Sequence, residues 1–337
     1  MSARFGRRDF LRRAGLAAVA APWLSHANRW AAFTAPEAAS RAFQGIFAIL
    51  QTPFDLKDRF DEEDLDREAD FCARAGAHGL VWPQVYGEFY ALSEEERKRG
   101  AEIIARAAKG RSAVVIGVQA PTKEMAVQFA RHAEEKGADA VIAIPPFLGH
   151  VTLETVADYY RAIAGAVKLP VFIQNSGGEW GPALSTEFVI KLARENPRLG
   201  YVKEEVSPVT HRLGEYVRSG AMRGIFSGNA GKLLLNELAR GSSGTMPACE
   251  FVDVDVQIYD LAKSGQAAEA RRLFEKLLPM INLEETYGLG FPKAVLVRRG
   301  VFKTSKLRGV PLTSVLDAVD VQELEGWWDQ LKPYFKV

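Results

Sequence analysis

Eight short apolar runs rich in Val, Ile and Phe, each but the last followed by a charged stretch of helical period, occupy residues 44 to 247 of this 337-residue chain. Few folds accommodate that rhythm. "GIFAILQ" precedes 62–76, "HGLVWP" precedes 94–109, "SAVVIGV" precedes 122–136 and "ADAVIAI" precedes 153–166. "LPVFIQN", "LGYVKEEV" and "MRGIFSG" lead into 184–195, 208–219 and 231–240, and "SSGTMP" closes the series. Helix-start signals fall where they should: Ser93 with Glu96 makes a capping pattern, and Thr122 before Met125 a weaker one. An eightfold β/α alternation within about 200 residues predicts a parallel (β/α)8 barrel rather than an open doubly wound sheet. Residues 248–337, including "AAEARRLFEKLLPMI" and "ELEGWWDQLKPYF", read as a C-terminal helical extension without further strands.

The first residues read differently. "GRRDFLRRAGLAAVAAPWLSHA" has a basic start, an apolar run and a small-x-small ending at Ser25, His26 and Ala27. Arg7-Arg8 followed by Asp9, Phe10 and Leu11 resembles the twin-arginine export signal, so 1–27 is expected to be a signal peptide, 28–43 a linker and the protein periplasmic or otherwise exported. The run from Ala14 to Ala21 has no polar face of helical period, which argues against an amphipathic first helix. With 43 basic and 42 acidic side chains the net charge is +1, so neither nucleic acid nor an anionic membrane is an expected partner. Cys72 and Cys249 are too few for a disulfide framework and read as core residues. Neither a Gly-rich phosphate loop with a lysine nor a metal-ligand spacing stands in the sequence, so no cofactor or metal is expected.

A barrel keeps its active site at the C-terminal ends of its strands, which draws attention to Lys203 in the sixth run. Period-two alternation puts Tyr201, Lys203 and Glu205 on one face and Val202 and Glu204 on the other. Pointing into the barrel mouth, a lysine is a nucleophile for a carbonyl, because burial favours the free amine. Two readings stand on pattern alone: a Schiff-base lysine, or one paired with Glu204 or Glu205 or snorkelling to the rim.

In order and spacing, "TPF" at 52–54, "GE" at 87–88 with "LSEEER" at 92–97, "PPF" at 145–147, "LPVFIQN" at 169–175, "VKEE" at 202–205 and "SGN" at 227–229 resemble the dihydrodipicolinate synthase and N-acetylneuraminate lyase family. These are class I aldolase-type (β/α)8 enzymes acting on 2-oxo acids, habitually dimers or tetramers. The resemblance runs from about residue 44 to the end and implies that Lys203 is the Schiff-base lysine. It implies substrate-binding roles for Val85, Tyr86, Phe147, Asn175, Ser227, Gly228 and Asn229, no cofactor and a homo-oligomer.

The departures matter as much. Where the family has Gly-Thr-Thr-Gly-Glu this chain reads Gln84-Val85-Tyr86-Gly87-Glu88, and Pro-Tyr-Tyr becomes Pro145-Pro146-Phe147. The family's general acid and base, a tyrosine before Asn on the fifth strand, is Gln174, whose amide orients but does not titrate. The synthases' arginine for a second carboxylate falls on Glu179, a charge reversal that argues against dihydrodipicolinate synthesis. A branch that dehydrates 2-keto-3-deoxy sugar acids also carries Gln, followed by Asp-Ala-Pro, whereas here Asn175-Ser176-Gly177 follows. For moving protons the candidates are Tyr86, His150, Glu204 and Glu205, with both glutamates more readily read as ion-pairing groups; Glu179 and Trp180 are candidates for reading a polyol. Two functions remain open: a Schiff-base lyase (aldolase or dehydratase) on a 2-oxo acid, and a catalytically silent relative that binds a keto acid or sugar acid.

Overall fold

The computed structural model describes residues 43–149, 151–312 and 316–337. The expected signal 1–27, the linker up to Ala42, and His150 lie outside the described residues. Strands and helices alternate in chain order: β1 (Gly45–Ile49), α1 (Glu62–Arg74), β2 (Gly79–Trp82), α2 (Glu94–Ala108), β3 (Ala113–Gly117), α3 (Lys123–Glu135), β4 (Ala140–Ala143) and α4 (Leu153–Ala166). The second half continues with β5 (Val171–Asn175), α5 (Thr186–Glu195), β6 (Tyr201–Glu204), α6 (Val209–Ser219), β7 (Gly224–Ser227), α7 (Leu234–Ala239) and β8 (Gly244–Thr245). Every strand pairs in parallel with its neighbours, and β1 pairs with β8, which closes a (β/α)8 barrel as the alternation predicts.

Local chemistry starts the helices where the sequence indicates. Ser93 and Glu96 form a reciprocal capping box on α2, and the side chains of Asp61, Thr122, Thr152 and Ser185 each accept from a backbone N–H in the first turn of their helix.

Strand alternation sorts the apolar residues into two layers. Phe47, Ile49, Val81, Val115, Ile142, Phe172, Tyr201, Phe226 and Met246 fill the barrel itself. Their strand neighbours Ile46, Ala48, Leu80, Trp82, Ile116, Val141, Ile173 and Val202 join the helices in a second, larger core. Gly244 stands directly against the backbone of Gly45, where a Cβ has no room, so β8 closes on β1 only with glycine there.

Four more helices follow: α8 (Val252–Lys263), α9 (Ala267–Tyr287), α10 (Gly290–Arg298) and α11 (Ala318–Leu331). α8 packs against β1 and so completes the helical ring, although it lies inside the segment 248–337 read as the extension. The extension is fastened by Arg299, whose guanidinium donates to Asp253 at 2.9 and 2.7 Å and to the carbonyls of Glu250 and Val337. Cys72 and Cys249 are free, buried thiols.

Candidate active site

Lys203 sits in β6 opposite Gln174 of β5 and Phe226 of β7, its side chain turned into the barrel at the C-terminal end. Its Nζ lies 3.2 Å from Oε1 of Glu205, and the other oxygen of that carboxylate accepts a 2.7 Å hydrogen bond from Nε2 of Gln174. Lysine, glutamate and glutamine therefore form one chain of contacts across two adjacent strands. Oε1 of Gln174 is buried and has no partner among the described residues, which leaves one acceptor open beside the lysine.

Above these groups is a pocket of about 250 Å³. Its lining includes Gln84, Val85 and Tyr86 from the loop after β2, Trp180 from the loop after β5, Asn229 after β7, and Glu284 and Glu285 from α9. The charges are one-sided: Lys203 faces Glu205, Glu284 and Glu285. Trp180 belongs to an aromatic wall in which it stacks on Tyr90 at 5.3 Å and meets Phe89 and Phe147 edge-on. The phenol of Tyr86 is held in its protonated form by burial, reinforced by the carboxylates of Glu284, Glu250 and Glu285.

The loop carrying Val85 and Tyr86 is fixed from below. Thr52 Oγ1 donates to the carbonyl of Gly87 at 2.5 Å and accepts from Nε1 of Trp82 at 2.9 Å. Glu88, in the left-handed region at φ 50°, pairs with the fully buried Lys293 of α10, whose ammonium also lies 4.8 Å from the ring centre of Phe54. "TPF" and "GE" are thus two sides of one brace. Backbone N–H groups of Val85 and Tyr86 donate to no acceptor among the described residues.

Several sequence-assigned residues lie elsewhere. Because Gln174 points inward, Asn175 points outward, where its amide exchanges hydrogen bonds with the backbone of Leu184 and donates to Glu204 at 3.0 Å. Ser227 follows the inward Phe226 and likewise faces the helices, donating to Glu237 at 2.5 Å and lying 2.9 Å from Oγ1 of Thr245. Asn175 and Ser227 are therefore bracing residues, not pocket residues. Phe147 stands in the aromatic wall outside the pocket lining. Gly228 lends the space that Glu205 occupies, since a Cβ there collides with that carboxylate. Asn229 lines the pocket at φ 52° and donates to the carbonyl of Glu205. Glu204 pairs with Arg212 at 3.1 Å and accepts from Tyr216 at 2.7 Å behind the barrel, and burial lifts its carboxyl above the usual range.

Glu284 and Glu285 escaped the sequence reading. "LEETY" is an ordinary stretch of helix, and only the path of α9 past the mouth of the barrel brings it to the site. The side chain of Glu179 lies outside the described residues. Among the described residues no group of three or more His, Cys, Asp and Glu side chains is arranged to hold a metal ion.

A closed parallel barrel with a buried lysine at the end of its sixth strand defines a (β/α)8 lyase of the Schiff-base class. The chain belongs to the dihydrodipicolinate synthetase family, whose model matches residues 42–322. It is 31% identical over 262 residues to the "Probable 2-dehydro-3-deoxy-D-pentonate aldolase" of Escherichia coli K12, covering 77% of this chain and 86% of that protein. With the L-2-keto-3-deoxyarabonate dehydratase of Azospirillum brasilense it shares 27% identity over 271 residues, or 79% and 87% of the two chains. A dihydrodipicolinate synthase structure from Rhodopseudomonas palustris superimposes with a TM-score of 0.76 at 28% identity, over 86% of this chain and 97% of that one. A prophage protein of the same family from Escherichia coli K12, solved with pyruvate, gives a TM-score of 0.78 at 25% identity over 86% and 99%.

Proposed function

We propose that this protein forms an imine between Nζ of Lys203 and C2 of a 2-keto-3-deoxy sugar acid and acts on it as a dehydratase or aldolase. The observation that carries the reading is the contact chain of Lys203, Glu205 and Gln174 beneath the pocket. Glu205 Oε1, at 3.2 Å, is within reach to accept the proton the amine gives up. The unengaged N–H groups of Val85 and Tyr86 are available for the C1 carboxylate. An iminium at C2 then acidifies C3, and the enamine expels a C4 hydroxyl or breaks C3–C4. Three glutamates and no arginine in the lining disfavour a tail bearing a phosphate or a second carboxylate and suit a neutral polyol. Two relatives whose names carry 2-keto-3-deoxy (2-dehydro-3-deoxy) sugar acids support the same substrate class.

Borohydride reduction in the presence of pyruvate or L-2-keto-3-deoxyarabonate is expected to add a mass to the peptide containing Lys203 and nothing in Lys203→Ala. Wild-type protein that is folded yet gives no adduct with a panel of 2-oxo acids would instead be a keto-acid or sugar-acid binder without catalysis.

The export reading rests on Arg7-Arg8 ahead of an alanine-rich run. A mature chain starting near Asn28 outside the cytoplasm is expected, with Arg7→Lys and Arg8→Lys together blocking transport. Uncut Met1 protein accumulating stably in the cytoplasm of its host would overturn it. Self-association into a dimer or tetramer is proposed from family habit and is read by mass in solution.

A further inference from the structure

With glutamine in place of a titrating tyrosine, the site still needs a group that moves a proton at C4. We infer that Glu284 of α9 is the general acid that protonates the departing C4 oxygen, so that the reaction is a dehydration. This inference rests on the Schiff-base reading above.

Glu284 lines the same pocket as Lys203, is 7% exposed, and its side chain makes no hydrogen bond or ion pair among the described residues. Its neighbour Glu285 is engaged by Lys232, so the two adjacent carboxyls are not equivalent. Around Glu284 the charged and titratable groups are Glu250 from the loop after β8, Asp255 of α8, Glu285 of α9 and Tyr86 of the loop after β2. None is a cation. Glu250 is 1% exposed with neither carboxyl oxygen hydrogen-bonded among the described residues, and the Arg299 guanidinium, which donates to its backbone carbonyl, is ion-paired with Asp253. Buried carboxyls within electrostatic reach of one another do not readily all ionise. Burial first, and the Glu250 charge second, push Glu284 well above the carboxylate range, while burial lifts Glu250 to about 7. A protonated acid facing a lysine across a small pocket is what expulsion of hydroxide requires, whereas aldol cleavage requires a base for the C4 hydroxyl.

The step balances within the site. Glu205 takes a C3 proton from the iminium, and the released pair forms the enamine. The enamine pushes its electrons into a C3–C4 double bond as C4–O breaks with its pair, and the Glu284 proton completes water. Hydrolysis of the unsaturated iminium frees Lys203 and a 2-oxo-3-enoic acid, and the proton on Glu205 returns through solvent to Glu284.

The test uses full-length protein, pyruvate for trapping and L-2-keto-3-deoxyarabonate for turnover. Glu284→Gln should keep the borohydride adduct on Lys203 and lose about 10²- to 10⁴-fold in kcat. Glu284→Asp should recover part of that loss. In wild type, kcat should fall as pH rises through the raised ionisation of Glu284, and that limb should vanish in the residual activity of Glu284→Gln. The infrared C=O stretch of a protonated carboxyl near neutral pH should be present in wild type and weakened in Glu284→Gln, a reading that does not depend on turnover. Unchanged kcat in Glu284→Gln, or wild-type cleavage to pyruvate and an aldehyde without dehydration, overturns the assignment of Glu284 and leaves the Schiff base standing. Absence of any wild-type adduct overturns both.

Discussion

At the scale of single residues the site depends on Glu205 being held between an ammonium and an amide. Gln174→Glu replaces the 2.7 Å donor by a second carboxylate, and two carboxylates that close share a proton rather than both ionising. We expect the variant to show a new pH step in kcat/KM that wild type lacks, with activity recovering on acidification as the pair regains its proton. Gly228→Ala tests the same carboxylate from the other side. A methyl group there occupies the volume of Glu205, so the carboxylate must swing away from Lys203. The expected outcome is a loss of borohydride trapping with pyruvate while the melting temperature changes by only a few degrees, checked by mass spectrometry and a thermal melt.

Elements carry the loop that the pocket needs. Lys293 of α10 is fully buried against Glu88, so Lys293→Met leaves an unpaired buried carboxylate and should cost about 3–5 kcal/mol, measured by urea unfolding. Glu88→Gln with Lys293→Met removes both charges and should recover much of that loss, since the penalty lies in the orphaned charge. Which elements form was legible in the chain because strands buried on both faces read as unbroken apolar runs and the caps at Ser93 and Thr122 mark helix starts. The site was legible on β6, where alternation was applied: Lys203 and Glu205 point in and Glu204 points out. The same alternation on β5 and β7 sends Asn175 and Ser227 outward, and motif resemblance concealed it by treating adjacent residues as one unit. Glu284 had no local signal at all, because the crossing of α9 over the barrel mouth is a tertiary event.

For the whole molecule, the unusual feature is how many carboxyls burial shifts upward. Burial lifts Glu68 to about 8 and Glu237 to about 7, as it does Glu250, and raises Asp255 and Glu204 as well. Each binds a proton in the folded state over a range where the unfolded chain has released it, so its contribution is complete below about pH 4.5 and is lost as pH rises through its folded value. Exposed Asp55, lowered to about 2 by its hydrogen bonds from Arg59, works in the opposite sense and matters only in strong acid. Stability should therefore fall between about pH 4.5 and about pH 8, at up to roughly 1.4 kcal/mol per pH unit for each group that differs fully between the two states. Urea midpoints across that range check it. Glu68→Gln, which keeps an oxygen for the Gln51 N–H and the Cys249 thiol, should flatten the slope.

The barrel's seam has a consequence for how the chain reaches this state. β8 is two residues long and meets β1 from the far end of the barrel sequence, with Gly244 seated on Gly45. During synthesis seven strands can emerge and pair in order while the ring stays open, with the edges of β1 and β7 both unpaired until residue 245 has left the ribosome. Closure is thus the last and least local step of strand pairing, and a side chain at Gly244 would leave the edges of β1 and β7 exposed in a complete chain as in a truncated one.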